Sequence, residues 1–169
     1  YIVYICGHKE DEYDYHLNTS VQMFKNLFDK EVKIGFKKNE NALFIRFSDK
    51  KLFLKLKEHG VPVGRKYDSL KIPNHIKESQ TLSKRFIRGF FDTDGTIIFS
   101  KQHKEKPYYP RLELPSKSRT ILEELLNILR TSGFYGSISK KGSCHRLEIP
   151  GFKNLELWKK EIGFSNPKH

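Results

Sequence analysis

The sequence predicts an α+β protein made of two related repeats. Each follows the order helix-strand-strand-helix-strand-strand-helix (αββαββα), and the first lacks its opening helix and strand. Three observations carry this. Apolar residues recur at helical period in some stretches and alternate with polar residues in others. The alternating stretches come in pairs around short polar turns, as hairpins do. The order of elements in the second half repeats that of the first at a distance of about 105 residues.

In chain order, Tyr1 to Cys6 reads as a strand. Glu10 to Phe28 reads as a helix, because Tyr13, Leu17, Val21, Phe24 and Phe28 fall on one face. Glu31 to Lys37 alternates, with Val32, Ile34 and Phe36 on one face and Lys33 and Lys37 on the other, and it pairs with Leu43 to Phe47 around the turn at 38–41. Lys50 to His59 is a short helix stopped by Gly60, and Val61 to Gln80, with Pro62, Gly64 and Pro73, is a connector. A helix over 81–94 follows, capped by Ser79 or Thr81 and ended by Gly95 in a left-handed conformation. Thr96 to Ser100 and Tyr108 to Leu114 are strands on either side of a Lys-rich loop. Thr120 and Glu123 make a capping box for a helix carrying Ile121, Leu122, Leu125, Leu126 and Leu129, which Gly133 ends. Tyr135 to Ser139 and His145 to Ile149 form a hairpin around Lys140-Lys141-Gly142, and Leu155 to Ile162 is a last helix ended by Gly163.

The halves align: Lys9 precedes Lys117 by 108 residues, and Gly60 precedes Gly163 by 103. Residues 1–66 form the incomplete first repeat, 67–80 a linker, and 81–169 a second, complete repeat. The aromatics Phe44, Phe90 and Trp158 read as core residues rather than base-stacking platforms.

Composition narrows the function. No apolar run approaches the roughly 18 residues of a membrane helix, so a spanning helix is not expected. Cys6 and Cys144 have neither metal-ligand spacing nor a disulfide framework, which suits a reducing, intracellular compartment. The net charge of +12 divides as +5 up to Asp94 and +7 after it, so the basic character runs through both halves. That distribution favours a polyanionic partner along the whole molecule over a basic tail.

The most informative stretch is the helix over 81–94. Gly89 lies within the apolar face formed by Phe86, Phe90 and Thr93, where glycine costs about 1 kcal/mol relative to alanine but lets a second helix come close. Asp92 and Asp94 stand in the last turn, against the helix dipole. A divalent cation would offset that repulsion, and carboxylate oxygens are what Mg²⁺ prefers.

Ile87-Arg88-Gly89-Phe90-Phe91-Asp92-Thr93-Asp94-Gly95 resembles the signature of the LAGLIDADG homing endonucleases, departing from it at Arg88, where a small residue is usual. The repeat order and the ending Ile162 to His169 extend the resemblance over most of the chain. It implies two αββαββα units forming a saddle of antiparallel sheets over duplex DNA, with signature helices packed at small residues, here Phe86, Gly89 and Phe90. It also implies Mg²⁺, or another divalent cation such as Mn²⁺, held by Asp94 with help from the backbone carbonyl of Thr93. Asp92 would be structural, and Lys9 and Lys117 would be the catalytic cations at equivalent strand ends.

The DNA-binding cations expected on the sheets are Lys33, Lys37, Lys38 and Arg46 in the first repeat, matched with Arg111, Lys140, Lys141 and Arg146 in the second. Lys101 and Lys104 lie on the loop between strands. The function so implied is a site-specific endonuclease making double-strand cuts in a long pseudo-palindromic site. The alternative is a non-cleaving protein of the same fold, an RNA splicing maturase bound to intron RNA or a DNA-binding regulator. An intein setting would require self-splicing blocks, which this stretch does not display. Because one signature helix is present, the resemblance implies a pseudo-symmetric monomer if an upstream helix exists, and otherwise a homodimer through helix 81–94.

Overall fold

The protein, a computed structural model, is described over residues 1–64, 70–101 and 108–169. Tyr1–Val61 with Ser165–Lys168 form one compact unit, and Pro62–Phe164 with His169 form another.

The first unit is a three-stranded antiparallel sheet of β1 (Ile2–His8), β2 (Ile34–Phe36) and β3 (Ala42–Ser48), in the order β1-β3-β2. Ile5 faces Ile45 across the ladder. Val3, Ile5, Ile45 and Phe47 pack inward with Phe24 and Leu52. The predicted helix over 10–28 is a broken run of α1 (Tyr13–Tyr15), a π-helical stretch (His16–Ser20) and α2 (Val21–Phe28). The π turn inserts a residue into the helical repeat and moves the buried face. Tyr13 and Leu17, expected in the core, are exposed, while Tyr15 and His16 are buried. α3 (Lys50–Glu58) starts where the Asp49 carboxylate accepts the N–H of Leu52 at 2.9 Å, an N-cap.

The second unit comprises α4 (Asn74–Lys77), α5 (Gln80–Asp94), β4 (Thr96–Ser100), β5 (Tyr109–Ser116), α6 (Arg119–Thr131), β6 (Ser137–Lys141), β7 (Cys144–Pro150) and α7 (Phe152–Glu161). Its four strands are antiparallel in the order β4-β5-β7-β6. Alternation turns Leu112, Leu114, Leu147 and Ile149 inward, where they meet Ile121, Leu122, Leu125 and Leu129 of α6 and Trp158 of α7. The cap of α6 is Ser118, whose hydroxyl accepts the N–H of Ile121, and not the expected Thr120 box. Part of the predicted connector is docked. Ile72 is buried in this core, its N–H donating to Glu124 at 2.7 Å.

The order β1-β3-β2 is that of β5-β7-β6, so the repeat is visible in the topology. Matching the inward-facing pairs Ile5–Ile45 and Leu114–Leu147 places Tyr4 with Glu113, Phe44 with Arg146, and Arg46 with Glu148. The expected pairing of Arg46 with Arg146 is therefore off by two residues in the ladder.

Candidate active site and nucleic-acid interface

α5 is capped by Ser79, whose hydroxyl accepts the N–H of Leu82 at 3.3 Å. Its core face is Ser83, Ile87 and Phe91, at i, i+4 and i+8. Phe86 and Phe90 are half-buried beside it, with rings 6.4 Å apart. Two side chains on α5 fasten it to α7. Lys84 pairs with Glu161 at 2.6 Å, and Arg88 Nε donates to the carbonyl of Ile162 at 2.5 Å. Arg88, the departure from the family signature, thus closes the C-terminal end of α7. Around Gly89 there is open space: a Cβ there would meet nothing within 4 Å.

At the end of α5 the two aspartates diverge. Asp92 is buried and Asp94 is exposed. The Thr93 hydroxyl donates back to the carbonyls of Gly89 and Phe90, both at 3.2 Å, leaving its side chain turned along the helix. Gly95 is extended (φ −79°), not left-handed as expected, because the chain enters β4 at once. Its glycine identity answers to space: a Cβ there would lie 2.5 Å from Cδ2 of Phe91.

Asp94 and Lys117 line one cleft of about 230 Å³, together with Phe90, Ser116 and Ser118. Asp94 comes from the C-terminus of α5 and Lys117 from the residue after β5. Among the described residues, no three His, Cys, Asp or Glu side chains cluster as a metal site. One exposed carboxylate is nonetheless compatible with Mg²⁺, which binds through one or two carboxylates and takes further oxygens from substrate phosphates.

Lys9 lies in the first unit, just after β1, with its Nζ 5.5 Å from the centre of the Phe36 ring. The ladder match pairs Lys117 with His8, so Lys9 stands one position beyond the register that sequence alignment suggested. Lys33, Lys38 and Arg46 are exposed, and Lys37 pairs with Glu40 at 3.0 Å. Lys101, Lys140 and Lys141 are exposed, and Lys104 lies outside the described residues.

Arg111 and Arg146 are not simple surface cations. Both bind the carboxylate of Glu113, which is 2% exposed. Sequence reasoning passed over Glu113; its place between two inward-facing leucines on β5 was the available signal. Phe44, expected in the core, lies on the opposite face of its sheet. It stacks on Tyr4 with ring centres 6.0 Å apart, and its ring covers Gly35. Trp158 is fully buried.

Two antiparallel sheets, one of them joined to a helix that ends in an exposed aspartate, define a LAGLIDADG-type α+β protein. Residues 81–163 match the family model described as a LAGLIDADG-like domain. The fold is similar to the crystal structure of the homing endonuclease I-DmoI in complex with DNA and Mn. The TM-score is 0.66 at 19% identity, covering 96% of this chain and 81% of that one. It is also similar to the N-terminal LAGLIDADG domain of DUF199/WhiA, with a TM-score of 0.62 at 16% identity, covering 96% and 70%. Among curated proteins, the chain is 32% identical over 106 residues to a probable translation initiation factor IF-2 of Thermococcus kodakarensis (62% of this chain, 8% of that protein). It is 34% identical over 76 residues to the reverse gyrase of Methanocaldococcus jannaschii (45% and 5%). The chain thus spans less than a tenth of the length of the curated relatives it matches. No helix among the described residues is long and apolar enough to cross a membrane.

Proposed function

We propose that this protein binds duplex DNA and cleaves it at a specific, long, pseudo-palindromic site as a homing endonuclease. The observation that carries the reading is the meeting of Asp94 and Lys117 in one cleft. Asp94 would hold Mg²⁺ or Mn²⁺, with the Thr93 carbonyl beside it. Such a cation, when bound, supplies Lewis-acid stabilisation of charge on the phosphate. Lys117 places a positive charge where the oxyanion develops, and Lys9 would do the same at the second strand. The exposed lysines at 33, 38, 101, 140 and 141 would contact phosphates and set register.

Phe86, Gly89 and Phe90 would receive a second signature helix, from an upstream segment or from another protomer. The open space at Gly89 supports that docking. The two curated relatives bear unrelated names and match over a small fraction of their length. That pattern supports a module carried inside different hosts, as homing requires, and makes an intein a candidate host alongside an intron.

Cleavage of a plasmid carrying a selected site tests the reading. Asp94→Asn should retain DNA binding and lose cutting, and Lys117→Met should slow it by about 10²–10³. Parental cutting rates in Asp94→Asn would remove Asp94 from the metal site. The second reading is a non-cleaving maturase or DNA-binding regulator, which the likeness to the WhiA domain supports. Tight, Mg²⁺-independent binding with no cutting by the parent would favour it.

A further inference from the structure

We propose that Glu113 is a positioning residue for base recognition: its buried carboxylate braces Arg111 and Arg146 so that the outer face of the second sheet reads guanines in a duplex. The proposal rests on the DNA-binding reading above.

Glu113 lies between Leu112 and Leu114, which face the core, so alternation turns it to the opposite face of the sheet. It is buried there by the two arginines. Arg111 Nε donates to Oε1 at 2.6 Å, and Arg146 Nη1 pairs with Oε2. Glu148 stands alongside, its Oε2 3.9 Å from Arg111 Nη1 and its Oε1 accepting from Ser139 Oγ at 3.3 Å.

The donor geometry is selective. With Nε hydrogen-bonded, Arg111 keeps its two Nη atoms for a further acceptor, Nη1 also lying 3.9 Å from the Glu148 carboxylate, beyond hydrogen-bond distance. With Nη1 engaged, Arg146 keeps its Nε–Nη2 edge. A planar two-donor edge is what the O6 and N7 acceptors of guanine match in the major groove. Fixing each guanidinium by one nitrogen removes rotamer freedom before binding and so lowers the entropy lost on association.

The charge balance points the same way. Two arginines and two glutamates sum to zero, so this patch adds little to sequence-independent attraction for phosphate. Lys141, beyond it on β6, remains for that task. The matching place on the first sheet carries the Tyr4–Phe44 stack instead of the Glu113–Arg146 pair. Guanine recognition of this kind is therefore a property of the second unit alone.

Selection from a random duplex library, run on the intact protein and its variants with thermal unfolding alongside, tests this. The parent should enrich sites containing guanine, and replacing that base by 7-deazaguanine should weaken binding about tenfold. Glu113→Gln should lose that preference by a similar factor, while its affinity for unselected DNA rises because net charge increases by one. Arg111→Lys, which keeps the charge and loses the fork, should also lose the preference. Guanine preference intact in both variants would overturn the proposal, whatever their melting temperatures. A parent that binds no duplex would overturn the DNA-binding reading, and this inference with it.

Discussion

Asp94, the last residue of α5, and Lys117, the first after β5, line the same cleft of the second unit. The helix is fixed from its core side by Ile87 and Phe91 and from its flank by Lys84 and Arg88. The Asp94 carboxylate is thus presented from a helix end held on two sides.

Gly95→Ala tests how closely the core holds Asp94. The extended backbone at Gly95 suits any residue, but the added Cβ would fall 2.6 Å from both Cγ and the carbonyl oxygen of Phe91. Backbone must shift, so a loss of about 1–3 kcal/mol is expected. Denaturant melts should show that loss, and under the proposed endonuclease function cutting should fall with it as Asp94 is displaced.

Gly89→Leu separates helix docking from folding. With open space around Gly89, a Cβ added there meets nothing within 4 Å. Replacing a mid-helix glycine should hold or raise stability, by up to about 1 kcal/mol. If a partner helix docks there, the same change should abolish cleavage or dimerisation. Thermal unfolding and sedimentation read the two effects independently.

Salt dependence should distinguish the cations. Neutralising Lys140 and Lys141, both exposed, should flatten the slope of log K against log salt by about 0.9 for each phosphate left without its cation. Arg111→Gln should change the slope less, because its charge is balanced by Glu113 and Glu148. Filter-binding titrations from low to moderate salt give both slopes; equal slope changes would count against the balance.

Acid should weaken the first unit before its carboxylates titrate. Burial holds the His16 imidazole below its usual 6.5, opposed by Glu12 and reinforced by Lys168. The unfolded chain binds that proton more readily, so stability is complete above about pH 6.5 and falls as pH drops towards the lower folded value. Asp49, held below its ordinary value by the Leu52 N–H and Lys30, loses its contribution only in more acidic solution. Urea midpoints between pH 7.5 and 5.5 should decline, and His16→Gln should flatten that decline.

The elements themselves were legible in the sequence. The helix of residues 80–94, its Ser79 cap and the glycines that end α3, α6 and α7 follow from period and backbone freedom, which neighbouring residues decide. The Asp-bearing motif and the repeat order were readable for the same reason. Thr120 looked like a cap, but Ser118, the second residue after β5, stands where the chain turns into the helix, and its hydroxyl also donates to the carbonyl of Leu70.

Which face of each element is buried was decided by tertiary structure. Tyr13 and Leu17 share a helical stripe in the sequence, yet the π turn at His16–Ser20 gives the buried positions to Tyr15 and His16. Phe44 is a large apolar side chain of the kind that fills a core, but it shares the Arg46 face of β3, and the pairing Ile5–Ile45 sends it to the outer face with Tyr4. Arg111 and Arg146 count as two free charges in the sequence and as one neutral network with Glu113 and Glu148 in the fold. Sequence by itself determined the order of elements and the motif residues, because those depend on interactions over a few positions. Tertiary structure decided register, face and charge pairing, because a strand's partner lies tens of residues away and a one-residue slip reverses every side chain.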